Sequence, residues 1–186
     1  AFLTRFWHFP KPTISAVHGF ALAGGCELAL CCDMTLMSDD AYLGEPELRF
    51  GSGIVALILP WLAGPKKAKE WILTGDDRID AQQALQWGLA NRVVPREQLL
   101  PAALRLAREI AINDRIKVGM TKAAINRTFG IMGFEAAMRM GHDTDIRIEA
   151  YPTEDSKTFR RMMHEEGLKA AIAWRRERMA AAMQGS

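Results

Sequence analysis

The sequence predicts a fold of the α/β class followed by a helical C-terminal region. Between Pro12 and about Pro95, short apolar or β-branched runs alternate with helix-forming segments, and glycines and prolines separate them. Beyond Pro95, apolar residues recur at helical spacing. We therefore divide the chain into a mixed core, residues 1–95, and a helical region, residues 96–186.

The core begins with a strand and a helix. The apolar, β-branched run "TISAVHGF" (13–20) predicts a buried strand closed by its glycine. "GGCELALCCD" has helix formers and no proline, which predicts a helix from about Gly24 to Cys32. "MTLMS" and "AYLGEPE" then predict two short strands with an aspartate pair between them.

Later segments of the core carry helix start and stop signals. "GPKKAKEWILTGD" predicts a helix that ends at Gly75, because glycine adopts the left-handed cap conformation without strain. Asp80 is a suitable N-cap for a helix through Trp87, and Gly88 ends that helix. "NRVV" predicts a brief strand.

The C-terminal region is amphipathic. Apolar residues recur along one helix face of "REQLLPAALRLAREIAI", namely Leu99, Ala103, Leu106 and Ile110. Similar patterns predict four further helices, at about 115–129, 134–148, 156–163 and 167–179.

Composition excludes several classes of protein. With 186 residues, 49% hydrophobic and 25% charged, the chain can bury a core and is not typical of disorder. A net charge of +2 is too small to indicate general binding to nucleic acid or membranes. No apolar run approaches the roughly 18 residues of a membrane span, and the start lacks the apolar core of a secretory signal. We expect a cytoplasmic protein, and we expect that it extends upstream of Ala1.

The three cysteines, Cys26, Cys31 and Cys32, fall within one predicted helix. Their number is odd, and their spacing matches neither a disulfide framework nor a metal site. We expect buried free thiols and no bound metal.

The glycine pair before Glu27 has two interpretations. The first amides of a helix have no intrahelical acceptor, and glycines let a ligand approach them, so Gly24 could help form an oxyanion pocket. The helix terminus would keep Glu27 ionised, and thus able to act as a base. Alternatively, the acidic residue only complements the helix dipole, and the glycines only allow close packing.

A second carboxylate pair follows in "GEPEL". If this loop returns to the helix start, Glu47 and Glu27 could face each other around a water molecule. Repulsion and burial would then raise the pKa of one of them, which would produce a base and an acid. We expect Glu45 to be a solvated surface group.

The ordered motifs "HGFALAGGCELAL", "CCD" and "GEPE", within residues 11–48, resemble the crotonase superfamily, also called the enoyl-CoA hydratase and isomerase family. The resemblance continues through "LTG" and "GLANRVVP". It implies a ClpP/crotonase spiral of short strands and helices with a C-terminal helical region. It also implies an acyl-CoA substrate, no separate cofactor, and a homotrimer or homohexamer.

The resemblance implies roles for three positions. Gly24 resembles an oxyanion-hole residue that binds the thioester oxygen, and Glu27 and Glu47 resemble the two catalytic glutamates of the hydratases. Family members with both glutamates hydrate a trans-2-enoyl-CoA to a 3-hydroxyacyl-CoA. His18 is expected to have a hydrogen-bonding role in a turn.

Two departures from the family pattern keep alternatives open. The family's other oxyanion amide lies upstream of the residues present here. In addition, "RFGSGIVALILPWL" replaces the glycine- and proline-rich loop that usually follows the second glutamate, so Ile54, Val55, Ala56 and Leu57 are expected to narrow the acyl pocket. The alternatives to a hydratase are an isomerase or hydrolase on an unusual acyl-CoA, or a non-catalytic subunit or inactive fragment.

The segment 157–178 carries seven basic and three acidic residues. Its net charge of +4 could attract the phosphates of coenzyme A.

Overall fold

The computed structural model describes residues 2–54 and 56–184. Within them the strands are β1 (Ile14–Val17), β2 (Phe20–Leu22), β3 (Met34–Ser38), β4 (Tyr42–Gly44), β5 (Ile79–Asp80) and β6 (Arg92–Val94). The helices are α1 (Phe2–Trp7), α2 (Gly24–Cys31), α3 (Leu59–Leu62), α4 (Gly64–Thr74), α5 (Ala81–Gln86), α6 (Leu99–Ala111), α7 (Arg115–Ile131), α8 (Phe134–Glu149), α9 (Glu154–Glu165) and α10 (Leu168–Gln184). Two 3-10 turns cover Glu47–Phe50 and Arg96–Gln98.

The strands form two small sheets that stack successive turns of a spiral. In the first sheet, β1, β3 and β6 are parallel neighbours, and Ile14 pairs with Met34. In the second, β2 pairs with β4 in parallel, and β4 pairs with β5 antiparallel. One turn of the spiral contains β1, β2 and α2, and the next begins with β3 and β4. Since β1 pairs with β3 and β2 pairs with β4, each turn lies beside the next. The arrangement confirms the α/β spiral with a helical C-terminal region.

Local signals define the helix ends that the sequence predicted. Gly75 ends α4 with φ 63°, a left-handed conformation that glycine adopts without steric cost. Asp80 starts α5 through a capping box, in which its side chain accepts from the Gln83 amide and the Gln83 side chain accepts from the Asp80 amide. Asp114 caps α7 with its side chain alone, which accepts from the amides of Ile116 and Lys117.

Three elements differ from the sequence-based expectation. The predicted strand 13–20 is two strands, because the chain bends at Gly19, where φ is 63°. The segment after Pro46 is a 3-10 turn rather than an extended strand. Helix α1 was not predicted, and its cause is tertiary: the buried Trp7 ring packs 4.6 Å from the Phe134 ring, and the Asn126 side chain donates to the Trp7 carbonyl.

The main core lies between the spiral and the first part of the helical region. Its fully buried members come from α2, β4, α4 and α8 and include Cys26, Leu43, Trp71 and Phe134. A smaller cluster joins β3 to α6 and includes Leu36 and Leu99. Burial of large apolar side chains on both sides of the sheets fixes the position of α2, the helix that carries Glu27.

The helical region also packs against the turn that carries Glu47. A Cβ atom on Gly51 would lie 2.8 Å from the Ser156 Cβ, so α9 approaches the turn directly. The Phe50 and Phe159 rings lie 5.3 Å apart, which adds an aromatic contact between the same elements. Helices α9 and α10 are joined by ion pairs from Arg175 and Arg178 to Asp155.

All three cysteines are free, as expected, and only Cys32 is partly exposed. Among the described helices, none combines the length and apolar character that a membrane crossing requires. The division into residues 1–95 and 96–186 stays a prediction.

Candidate active site

Helix α2 places Gly24 and Glu27 on the wall of one cavity. Gly24 is the first residue of the helix, where backbone amides lack intrahelical acceptors, and a Cβ added to it would meet no atom within 4 Å. Glu27 lies in the first turn and is only 2% exposed. The amide of Ala56 donates to Glu27 Oε1 at 2.6 Å, which orients this carboxylate.

The backbone just before α2 is strained. Ala23 has φ 54° and ψ −131°, and it is the one described non-glycine residue with a positive φ. Its amide donates to the Gly44 carbonyl at 2.9 Å, which ties the helix start to β4. Such conformations cost about 1–3 kcal/mol and are common at functional sites. Here the strained residue sets the direction of the Gly24 amide.

Three carboxyl groups converge beside α2. One oxygen from each of Glu27, Glu45 and Glu47 lies within 4.8 Å of the other two. The prediction that Glu45 is a solvated surface group is wrong, because Glu45 is 2% exposed. Glu45 directly follows β4, and Glu47 begins the 3-10 turn two residues later. Both glutamates of the loop reach Glu27.

Burial favours the neutral forms of two of these groups. The pKa of Glu45 is raised to about 9, mainly because the group is buried and secondly because the Glu47 carboxylate is nearby. Burial also raises the pKa of Glu47, and Asp145 adds to the effect. Burial and the adjacent Glu45 raise the pKa of the fully buried Cys26, whose thiol is hydrogen-bonded to Glu45. Glu45 and Cys26 thus hold their protons at neutral pH, and the pKa of Glu47 is shifted in the same direction.

Carboxylate oxygens are also ligands for hard divalent cations. A protonated carboxyl group is a poor ligand, and two members of this cluster have raised pKa values. With protons bound the cluster is suited to proton transfer, and the absence of a metal or separate cofactor stays a prediction.

The cavity beside Glu27 has a volume of about 390 Å³. It is lined by residues of α1, α2, α8 and the segment after the Glu47 turn, namely Phe2, Leu3, Thr4, Gly24, Glu27, Leu28, Ala56, Met138 and His142. Most of these side chains are apolar. The cavity therefore combines an apolar wall with the helix-start amide of Gly24 and the carboxylate of Glu27.

The loop "GIVAL" narrows this cavity less than expected. Of its described bulky positions, Ile54 is buried but does not line the cavity, and Leu57 packs against Gly141 of α8. Ala56 does line the cavity and supplies the amide that binds Glu27. Val55 lies outside the described residues. The loop therefore acts on the site through its backbone.

Sequence reasoning missed Glu45, the Ala56 amide and the α1 wall. The signal for Glu45 was its position two residues before Glu47 in a motif already singled out. His18 lies in a turn as expected, with Nδ1 3.3 Å from the Arg96 side chain.

The basic segment 157–178 is partly neutralised within the fold. Four of its seven basic side chains form ion pairs, namely Lys157, Arg160, Arg175 and Arg178. The expected attraction of coenzyme A phosphates now depends on Arg161, Lys169 and Arg176, which form no ion pair with the other described residues.

Known proteins resemble this chain in both sequence and fold. The family model for "Enoyl-CoA hydratase/isomerase" matches residues 1–170. A crotonyl-CoA hydratase from Syntrophomonas wolfei is 39% identical over 152 residues, covering 79% of this chain and 56% of that protein. A short-chain-enoyl-CoA hydratase from Clostridium acetobutylicum is 38% identical over 152 residues, with the same coverage.

Among solved structures, an enoyl-CoA hydratase/isomerase from Xanthobacter autotrophicus Py2 superposes with a TM-score of 0.92 and 49% identity. The match covers 95% of this chain and 65% of that one. The chain spans about half the length of the curated relatives that it matches.

Proposed function

The chain belongs to the enoyl-CoA hydratase/isomerase family, and from this premise we propose that the protein hydrates a trans-2-enoyl-CoA to a 3-hydroxyacyl-CoA. The observation that carries the proposal is the meeting of Glu27 and Glu47 within 4.8 Å, with Gly24 on the same cavity wall as Glu27. The names of the relatives, which are hydratases of enoyl-CoA thioesters, support the same reaction.

In the proposed mechanism Glu27 is the base and Glu47 is the acid. Two oxygens up to 4.8 Å apart can hold one water molecule between them, since each hydrogen bond spans about 2.8 Å. Glu27 takes a proton from this water as its oxygen bonds to Cβ, and the double-bond electrons move toward the thioester. Glu47 then gives its proton to Cα. A proton passing from Glu27 back to Glu47 resets the site.

The Gly24 amide would stabilise the thioester oxygen as negative charge develops on it. One such donor is typically worth about 3–4 kcal/mol. The resemblance implies that a second amide comes from an upstream segment of the complete protein. The strained Ala23 supports this role, because it fixes the first amide of α2 in one direction.

Turnover by the complete protein tests the function. A panel of trans-2-enoyl-CoA thioesters should be consumed with loss of the conjugated double bond, and the product should be the 3-hydroxyacyl-CoA. The same panel should include 3-enoyl-CoA and saturated acyl-CoA thioesters. Conversion of only these would favour an isomerase or hydrolase, and no turnover at all would favour a non-catalytic subunit.

We also propose that the protein assembles as a homotrimer or homohexamer. Large apolar side chains are exposed along α7 and the segments at its two ends, including Ile112 (86%), Ile116 (64%), Met120 (68%), Ile131 (79%) and Met132 (60%). Light scattering of the complete protein at micromolar concentration should give three or six times the mass of one chain. A monomer under these conditions would contradict the proposal.

A further inference from the structure

Glu45 is a buried acid that the proposed mechanism does not use. Its carboxyl group lies in the same cluster as Glu27 and Glu47, and the residue is 2% exposed. Oε2 of Glu45 and Oε2 of Glu47 are both buried, and neither has a hydrogen-bond partner among the described residues. Unsatisfied polar atoms of this kind are costly, so two of them in one cluster need an explanation.

A proton held on Glu45, in addition to the one that Glu47 carries as the acid, supplies that explanation. We propose that Glu45 is a positioning residue that stays neutral and donates a hydrogen bond to Glu47. This inference rests on the hydratase function proposed above. When Glu47 gives its proton to Cα it becomes a carboxylate, and the O–H of Glu45 stabilises the new charge. The proton on Glu45 does not leave during turnover.

The surroundings of Glu45 favour the neutral form. Cys26 and Glu27 face it from α2, and Glu47 faces it from the 3-10 turn. The thiol of Cys26 is uncharged at neutral pH because burial raises its pKa. Asp145 of α8 adds negative charge near Glu47, and neither Glu45 nor Glu47 forms an ion pair with a described residue. An ionised Glu45 would repel the Glu47 carboxylate, whereas a neutral one can donate to it.

Two variants of the complete protein separate this role from simple packing. Glu45→Met keeps the side-chain length but removes the donor, and kcat for hydration should fall roughly 10- to 100-fold with little change in KM. Glu45→Gln keeps an N–H donor and should restore most of that loss. A Glu45→Met rate close to wild type, or no rescue by glutamine, would overturn the proposal.

The pH profile adds a readout that a packing role would not move. The wild-type rate should fall as the pH rises through about 9, because Glu45 ionises and stops donating. In Glu45→Gln the midpoint of this alkaline loss should move, since an amide does not ionise and the loss that remains comes from Glu47, the acid of the proposed mechanism, alone. An identical alkaline loss in both proteins would count against Glu45.

Carbon-13 NMR of labelled glutamate carboxyls tests the protonation state without turnover. The signal that disappears in Glu45→Gln should titrate far above the ordinary glutamate range and should respond to Glu47→Gln. Ionisation of Glu45 below pH 6 in an active hydratase would refute the positioning role alone. A wild type that hydrates no enoyl-CoA would refute the proposed function, and this inference with it.

Discussion

Glu27→Gln should lower kcat for hydration by roughly 10²- to 10⁴-fold, with KM for the enoyl-CoA changing little. Glutamine has the shape of glutamate, and its carbonyl oxygen can still accept from the Ala56 amide. It cannot take a proton from water, so the loss falls on the chemical step. Steady-state kinetics of the complete protein, followed by the absorbance of the conjugated thioester, measure the effect.

Glu109→Gln is the matched control for this variant, because it makes the same chemical change at an exposed position of α6. Its kcat should equal that of the wild type. Thermal unfolding of Glu27→Gln should show that the fold is retained. A Glu27→Gln enzyme with more than about one tenth of the wild-type rate would exclude Glu27 as the base that activates water.

Glu47→Gln should cause a loss of similar size, roughly 10²- to 10⁴-fold in kcat, because the amide cannot protonate Cα. Exchange of the Cα proton of the 3-hydroxyacyl-CoA with deuterated water should be lost as well. This exchange reports the same proton transfer without requiring net hydration, so it isolates the step assigned to Glu47. Mass spectrometry of recovered thioester measures it.

The two variants together also discriminate between reactions. If Glu27→Gln abolishes activity but Glu47→Gln leaves it intact, one acid-base residue suffices, and the second glutamate is not the proton donor of a hydratase. If neither substitution affects the rate, the cluster is not the reactive centre. A combined variant should be hardly slower than either single one, since the two residues act as a unit in one reaction.

The parts of the fold that depend on local signals could be predicted from the sequence. The left-handed cap at Gly75, the capping box at Asp80 and the amphipathic helices after Pro95 each depend on neighbours within a few residues. The two-residue strand β5 carries too little pattern and exists because its partner β4 lies beside it. Helix α1 likewise depends on contacts with distant helices.

The residues of the candidate site likewise differ in whether local signals could predict them. Gly24 and Glu27 could be singled out because both lie at a helix start, whose physics is local. Glu45 was misassigned because a loop glutamate was expected to be solvated, although a period of two places it on the same face as Glu47. Burial of a loop glutamate depends on what packs over the loop, and in this protein Cys26 and Glu27 of α2 face Glu45 from an earlier part of the chain. The spacing of Glu45 and Glu47 does not show which element covers them.

The buried carboxyl cluster also couples folding to proton uptake. In the unfolded chain Glu45 returns toward its ordinary pKa of 4.5, whereas in the folded protein its pKa is about 9. Between these values the folded state holds more protons than the unfolded state, so the free energy of unfolding decreases as the pH rises. The raised pKa of Glu47 acts in the same direction. The buried carboxyl cluster therefore makes the fold alkali-sensitive, and selection for stability at high pH would act first against Glu45 and Glu47.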